Sequence, residues 1–156
     1  MASDTDNSVH IEAPIDLVWR LTNDVRTWPE LFTEYASVEV LAERGNTVRF
    51  RLTMHPDPDG SVWSWVSERT TDPWNHTVSA HRVETGPFEF MRINWEFTPE
   101  GNGTRMRWRQ EFAAGPDAPF DDAGITKRIN DNTAIQMAVI KEKVETAART
   151  AARGSR

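Results

Sequence analysis

The stretch FEFMRINWEFTPEGNGTRMRWRQEF, residues 88–112, decides how this chain is expected to fold. From residue 91 to residue 97 every second side chain is apolar, and Met106, Trp108 and Phe112 repeat the alternation further on. Such alternation is typical of strands that bury one face. The GNG sequence between the two runs predicts a tight hairpin turn. Two neighbouring antiparallel strands are therefore expected here, each with one apolar face.

The remaining segments supply the other elements of the predicted fold. A short strand at about residues 8–13 precedes two short helices, the first beginning after Pro14 and the second reaching as far as Tyr35. Strands joined by short turns follow, which brings the predicted sheet to seven strands. One long helix is expected over residues 120–148, and the tail ARTAARGSR after it is expected to be frayed.

A sheet with a single apolar face needs a cover, and the long helix is the only predicted element large enough to provide it. The 156 residues are expected to form one domain, with about residues 7–148 ordered. We predict an α+β fold in which a seven-stranded antiparallel sheet wraps round the long C-terminal helix. Such an arrangement leaves an interior cavity between the two layers.

The composition argues against several classes of function. The chain has no cysteine, so disulfides, thiolate metal sites and thiol nucleophiles are excluded. Its net charge of −6 argues against nucleic acid as the main partner. The acidic, polar beginning of the sequence does not resemble a signal peptide. No apolar run is long enough to span a membrane, so a cytoplasmic protein is the expectation.

The motifs of several common catalytic sites are missing from the sequence. It contains neither the G-x-S-x-G motif of serine hydrolases nor a Walker phosphate-binding loop. The four histidines have no metal-ligand spacing, and alternation places His10 on an outward face. We therefore expect neither a catalytic metal nor a cofactor.

Three polar side chains share the predicted inward faces with apolar residues. In SVWSWVSERTTDPW, alternation puts Ser67 and Arg69 on the same side as two tryptophans, and the third polar residue is Gln110. An isolated buried cation is costly unless it is paired or hydrogen-bonded. Arg69 therefore either meets a carboxylate or water near a strand end, or points into a cavity; the three polar groups together favour the cavity. The inward set comprises Phe50, Trp63, Trp65, Ser67, Arg69, Met91, Ile93, Trp95, Met106, Trp108 and Gln110.

A cavity lined in this way suits catalysis by positioning. A guanidinium stays protonated at neutral pH and can orient carbonyl oxygens or stabilise an enolate. Tyr35, the only tyrosine, can supply or accept a proton at the mouth. Tryptophans on either side would hold a long flexible substrate in a bent conformation.

Five arginines alternate on the outward faces of the predicted strands. We favour a solvated sheet face on which they pair with Glu68, Glu96 and Glu111. The alternative is a basic docking patch for an acidic carrier or a phosphate group. The five residues are Arg49, Arg51, Arg105, Arg107 and Arg109.

Four segments closely resemble the aromatase/cyclases of bacterial type II aromatic polyketide pathways, and among these the tetracenomycin and spore-pigment types. They are NDVRTWPELFTEYASVEVL, FRLTMHPDPDGSVWSWVSER, RVETGPFEFM and MRWRQEF, and the resemblance extends over about residues 7–148. It implies a helix-grip fold of the START, or Bet v 1-like, superfamily. It also implies a linear poly-β-ketone substrate tethered to an acyl carrier protein, and partnership with the other components of a type II polyketide synthase. The implied reaction is cofactor-independent aldol closure of the first ring between C9 and C14, followed by dehydration to an aromatic ring.

The resemblance also implies roles for individual residues. Arg69 matches the essential arginine of the family, and Tyr35 matches its tyrosine near the pocket. Gln136 on the long helix is expected to face the pocket. A non-catalytic module that binds hydrophobic ligands, or a protein that only shields the polyketide for other cyclases, remains as an alternative. With Phe50 from the inward set, the predicted substrate-binding residues are Trp28, Phe32, Phe50, Trp63, Trp65, Ser67, Phe88, Met91, Trp95, Trp108, Gln110 and Gln136.

Overall fold

A computed structural model describes residues 3–154 of the chain. Its strands are β1 Ser3–Ile11, β2 Tyr35–Arg44, β3 Thr47–Met54, β4 Ser64–Asp72, β5 Thr77–Arg82, β6 Phe88–Glu100 and β7 Gly103–Ala114. Its helices are α1 Ile15–Asn23, α2 Trp28–Leu31 and α3 Asp122–Gly154, with a single 3₁₀ turn, Val25–Thr27, between the first two.

All seven strands form one antiparallel sheet in the order β1-β7-β6-β5-β4-β3-β2. Strands β2 to β7 follow one another as neighbours because short turns join them, and β1 returns to pair with β7. The predicted sheet, the two short helices after its first strand and the long C-terminal helix are therefore confirmed.

The long helix covers the apolar face of the sheet, as the sequence predicted. Met137, Ile140 and Val144 of α3 pack in the same buried cluster as Ile11 and Met106 of the sheet. A smaller cluster near the start of the helix contains Met91, Phe112 and Ile125. Residues of both clusters line a cavity between the sheet and the helix.

The hairpin between β6 and β7 needs its second glycine because another chain segment passes close by. A Cβ atom at Gly103 would lie 2.2 Å from the carbonyl oxygen of Ile11, the last residue of β1. Gly101 adopts a φ of +57°, which favours glycine at this position of the turn. The predicted tight hairpin is confirmed.

Several predicted boundaries were wrong. Strand β1 begins at Ser3 rather than near residue 8, because it pairs with β7 over its whole length. Helix α2 ends at Leu31, since Phe32 is already extended, and Tyr35 opens β2. Helix α3 continues to Gly154, so most of the tail expected to be frayed is helical; Ser155 and Arg156 lie outside the described residues.

No helix within residues 3–154 has the length and apolar character needed to cross a membrane.

Candidate active site

A cavity of about 940 Å³ lies between the inner face of the sheet and α3. Its deep end is formed by buried residues of β4, β6 and α2, among them Arg69, Trp95 and Trp28. Its mouth lies between the β3–β4 loop and the first turns of α3, where Trp63 and Phe120 are partly exposed. The interior cavity predicted from the layer arrangement is present.

Arg69 is enclosed at the deep end of the cavity, with only 3% of its surface exposed. Its guanidinium lies over two indole rings, 4.2 Å from the centre of Trp95 and 5.1 Å from that of Trp28. Nη2 donates a hydrogen bond to Oδ1 of Asn23, and Nε has no hydrogen-bond partner. Among the described residues no carboxylate pairs with it, so a buried positive charge lines the cavity without a counter-ion.

Burial lowers the pKa of Arg69 to about 9, partly offset by the nearby Tyr35. The guanidinium is therefore still protonated at neutral pH, as expected from the sequence. On the neighbouring strand, Ala80 lies opposite Arg69 in the β4–β5 pairing. This small side chain also lines the cavity and leaves space beside the guanidinium.

Flat aromatic rings form the walls of the cavity. Trp95 and Trp108 stack with ring centres 4.5 Å apart and planes within 9° of each other. Trp28 contacts the ring of Phe32 at 5.1 Å and that of Phe50 at 5.5 Å. Nε1 of Trp108 is buried without a hydrogen-bond partner among the described residues. The walls thus offer broad apolar surfaces with few polar groups set into them.

Tyr35 and Glu34 are neighbouring residues that both line the cavity and whose side chains interact. Nδ2 of Asn132 on α3 donates to Glu34 Oε2 at 2.7 Å, and the Tyr35 hydroxyl can donate to the same carboxylate. Burial is the main cause that raises the pKa of Glu34. The pKa of Tyr35 lies well above its ordinary value because of burial and the nearby Glu34 charge. Tyr35 is therefore a neutral phenol at physiological pH and can donate a hydrogen bond.

Arg82 is a second cavity cation that sequence reasoning missed. Its guanidinium lies 4.1 Å from the ring centre of Trp65 and 4.9 Å from that of Phe88. Burial lowers the pKa of Arg82 to about 10. Alternation along β5 could have found it, because Val78, Ala80 and Arg82 occupy one face of that strand.

Glu34 was also missed, and the sequence contains no comparable signal for it. It precedes β2 in a loop without periodicity, and its hydrogen-bond partner Asn132 is 98 residues away along the chain.

The predicted site residues all line this one cavity, although their roles remain predictions. Ser67 is buried next to Arg69 on the inner face of β4, and Gln110 is half-buried on β7. The complete set is Trp28, Phe32, Tyr35, Phe50, Trp63, Trp65, Ser67, Arg69, Phe88, Met91, Trp95, Trp108, Gln110 and Gln136.

Trp63 does not lie on an inward strand face, contrary to the alternation argument. Strand β4 begins at Ser64, so Trp63 belongs to the preceding loop, and 45% of its surface is exposed. Its Nε1 donates to Oδ2 of Asp57 at 2.8 Å, which holds the indole at the mouth of the cavity.

Gln136 faces the cavity, but its amide is already engaged. Nε2 donates to Oγ1 of Thr33 at 2.8 Å, and Oε1 accepts from the Thr33 backbone N–H at 3.0 Å. With 3% of its surface exposed, Gln136 fastens α3 to the loop that carries Glu34.

The outward arginines lie on a paired, solvated sheet face, as favoured from the sequence. Arg49 pairs with Glu68 at 2.8 Å and Arg109 with Glu96 at 3.0 Å. The third predicted acid, Glu111, pairs with Arg92 at 2.8 Å. The other predicted arginines bind different partners: Arg51 pairs with Glu84, Arg107 with Asp6 and Glu96, and Arg105 donates to Ser8.

Within residues 3–154, no cluster of three or more histidine, aspartate or glutamate side chains is placed to hold a metal ion. His10 is bound instead by the carboxylates of Glu12 and Glu100, each 2.7 Å away.

Comparison with known protein sequences relates this chain to polyketide cyclases. A family model described as polyketide cyclase/dehydrase and lipid transport matches residues 11–133. A Streptomyces cyaneus protein named as a candidate polyketide cyclase is 61% identical over 145 residues, 93% of this chain and 95% of that protein. The granaticin polyketide synthase bifunctional cyclase/dehydratase of Streptomyces violaceoruber is 28% identical over 144 residues, 91% of this chain and 44% of that protein.

Solved structures share the fold. The ZhuI aromatase/cyclase from Streptomyces sp. R1128 superposes with a TM-score of 0.81 at 20% identity, covering 93% of this chain and 94% of that one. A START superfamily protein from Mycobacterium smegmatis gives 0.74 at 14% identity, covering 92% and 98%. These likenesses confirm the helix-grip, START-like fold. Because the family model spans most of the chain and the Streptomyces cyaneus relative matches it over almost its whole length, this chain belongs to the polyketide cyclase/dehydrase and lipid transport family.

Proposed function

We propose that this protein is an aromatase/cyclase of a type II polyketide synthase. It receives a linear poly-β-ketone tethered to an acyl carrier protein. It closes the first ring by aldol addition, between C9 and C14, and dehydrates the product to an aromatic ring without a cofactor. Its partners are the acyl carrier protein and the other synthase components. It works with them in the cytoplasm.

One observation carries the proposal: a protonated guanidinium, without a carboxylate partner, lies at the deep end of a large aromatic cavity. A buried cation of this kind needs oxygen acceptors. A poly-β-ketone supplies them at every second carbon of its chain. The ketone oxygens can therefore complete the hydrogen bonding of the Arg69 guanidinium, whose Nη2 already donates to Asn23.

The size and shape of the cavity support a long, bent substrate. Its volume of about 940 Å³ is at the upper end of the range of small-molecule sites. The stacked Trp95 and Trp108 form one flat wall, and the edge-to-face rings of Trp28 and Phe50 form a second apolar surface. Rigid walls restrict the number of ways in which the chain can fold, so that one methylene group approaches one carbonyl carbon.

The chemistry then requires modest help from the protein. The methylene group between two ketones loses a proton, and the resulting enolate attacks the carbonyl carbon to form the new C–C bond. Arg69 binds the oxygen on which negative charge develops and stabilises it. The alkoxide takes up a proton, and loss of a further methylene proton with the hydroxyl group releases water. We propose that Tyr35, which lines the cavity, moves these protons.

The test is reconstitution with the purified minimal polyketide synthase, its acyl carrier protein and malonyl-coenzyme A, followed by identification of the products. Arg69→Ala should abolish the correctly closed first-ring product while the protein still folds. The matched control is Arg109→Ala, which removes an exposed arginine from the outer sheet face and should leave the products unchanged.

An Arg69→Ala protein that gives the wild-type product distribution would contradict the proposal. A wild-type protein that binds polyketide tightly without altering the products would instead support the non-catalytic binding module.

A second test concerns the carrier protein. Charge reversal at Arg49 and Arg51 is proposed to weaken turnover of carrier-bound substrate but not the binding of small molecules. Both arginines lie on the outer sheet face in ion pairs and do not line the cavity. Equal activity at low salt, where electrostatic attraction is strongest, would reject this docking surface.

A further inference from the structure

The Glu34 carboxyl group has no role in the mechanism above, yet it is held firmly beside the cavity. It lines the cavity, accepts a hydrogen bond from Nδ2 of Asn132, and interacts with the Tyr35 side chain, so both of its side-chain partners are neutral. Among the described residues no lysine or arginine forms an ion pair with it. A carboxylate held by neutral donors alone keeps its ability to take up a proton, which an ion pair would suppress.

We propose that Glu34 is the proton acceptor and donor of this cavity, and that it acts through the hydroxyl group of Tyr35. The inference deepens the proposed function and rests on it, because it assigns the group that moves the protons of the aldol and dehydration steps. Tyr35 contacts the substrate, and Glu34 accepts the phenol proton of Tyr35 and later returns it.

We call the transfer of a proton from the substrate through Tyr35 to Glu34 the relay. It is needed because neither group suffices alone. The pKa of the Tyr35 phenol lies well above its ordinary value, so an isolated Tyr35 is a poor base at neutral pH. Burial raises the pKa of Glu34, which brings it closer to the pH at which a general base works well. When the phenol passes its own proton to Glu34 while it takes one from the substrate, no phenolate has to accumulate.

Each proton is accounted for in the relay. A substrate methylene loses a proton to the Tyr35 oxygen as the Tyr35 proton moves to Glu34, which becomes a neutral acid. The enolate forms the C–C bond, and the same two transfers run backwards to protonate the alkoxide. In dehydration the relay removes a second methylene proton and delivers it to the departing hydroxyl, which leaves as water. The protein ends each step in its starting protonation state.

The surroundings keep the relay in place. Gln136 of α3 exchanges two hydrogen bonds with Thr33, the residue before Glu34, and Asn132 lies one helical turn away. The His55 backbone N–H donates to the carbonyl oxygen of Glu34 at 3.0 Å from the other side. The loop is thus fastened to both α3 and the end of β3, and the carboxyl group has little freedom to leave Tyr35.

Other ionisable groups also line the cavity from the elements around Glu34. Positive charge from Arg69 and Arg82 acts on Tyr35, lowering its pKa against the larger effects that raise it. The remaining charged groups lie at the mouth, and they are Asp57 and Asp59 of the β3–β4 loop together with Arg128 and Asp131 of α3. If Glu34 causes a pH-dependent change in the reaction rate, that change must therefore disappear in a variant that alters Glu34 alone.

The experiment uses Glu34→Gln in the full chain, in the same reconstituted synthase. A glutamine keeps an oxygen that can accept from Tyr35 and Asn132, but it cannot take up a proton. We expect first-ring product formation to fall by about 10²-fold or more, the usual contribution of a general acid or base. The wild-type rate should fall at low pH as Glu34 becomes protonated, and this fall should be absent in Glu34→Gln. Glu39→Gln, on the exposed face of β2, is the matched control and should leave both unchanged.

A double variant separates a relay from a structural effect. If the two groups act in series, adding Glu34→Gln to Tyr35→Phe should cost nothing further, because the relay is already broken. Losses that multiply would overturn the inference, as would a wild-type rate and pH profile for Glu34→Gln. If Arg69→Ala still abolishes the product in that case, only the relay is refuted; if Arg69→Ala also has no effect, the proposed function fails.

Discussion

Arg69 is almost fully buried, yet we predict that the fold does not depend on it. Replacing it with methionine, an apolar side chain of similar length, should change the free energy of unfolding by less than about 2 kcal/mol, because apolar substitutes for buried ions are often neutral or stabilising. The same substitution should abolish the correctly closed first-ring product. Stability and activity would then separate at a single buried position.

The magnitude follows from opposing contributions at the site. Burial lowers the pKa of Arg69 to about 9, roughly three units or more below a solvated guanidinium, which corresponds to a cost of about 4–5 kcal/mol for the charged form. Against this, the contacts with the rings of Trp28 and Trp95 contribute up to about 2 kcal/mol each when desolvated. The hydrogen bond to Asn23 contributes about 1.5–3 kcal/mol. The gain and the cost are of similar size, so the guanidinium adds little net stability.

A pH series tests the same reasoning. The folded-state pKa of Arg69 is lower than the unfolded one, so between these values the unfolded chain binds more protons, and this residue contributes stability as pH rises. With a folded-state pKa of about 9, the wild type should gain about 1 kcal/mol relative to Arg69→Met between pH 7 and pH 10.

Urea unfolding of both proteins, followed by tryptophan fluorescence, measures these differences. Arg109→Met is the control, since it removes an exposed arginine whose ion pair with Glu96 should contribute at most about 1 kcal/mol. A loss of more than about 3 kcal/mol for Arg69→Met would show that the arginine holds the fold together and would refute the argument.

Two further predictions concern the contacts of Gln136 on α3 and of His10 on β1. Gln136→Leu removes both hydrogen bonds to Thr33 and should lower the free energy of unfolding by about 1–3 kcal/mol; an unchanged urea midpoint would argue that the loop is held by other contacts. Hydrogen bonds to the carboxylates of Glu100 and Glu12 raise the pKa of His10, so its stabilising contribution should be complete below about pH 6.5 and disappear as the pH rises through the folded-state value. In thermal melts the advantage of the wild type over His10→Gln should therefore shrink from acid to alkaline pH, and an advantage that grew would contradict this sign.

Period-two alternation made most of the fold and the inner wall of the site predictable. In residues 88–112 it identified two strands and their buried faces, and along β4 it placed Ser67 and Arg69 inside. The reason is geometric: successive side chains of a strand point to opposite faces, so the face of each residue follows from its position in the strand. The same rule, applied to β5, would have found Arg82.

The rule fails where a strand ends, and this explains the errors. Trp63 was assigned to the interior by continuing the alternation one residue before the strand, whereas β4 begins at Ser64 and the indole lies at the cavity mouth. The resemblance to known cyclases indicated Tyr35 and Gln136, but it did not indicate that the Gln136 amide is occupied by Thr33.

Within the regular part of each strand, the sequence by itself determined which side chains face the interior, because strand periodicity is a local property of the chain. It also determined that a cation would lie among tryptophans. Only the tertiary structure decided which groups from distant segments meet beside the cavity. Glu34 lies in a loop without periodicity, and its contact with Asn132 spans 98 residues. No local pattern encodes such a contact, because it arises only when the sheet closes round α3.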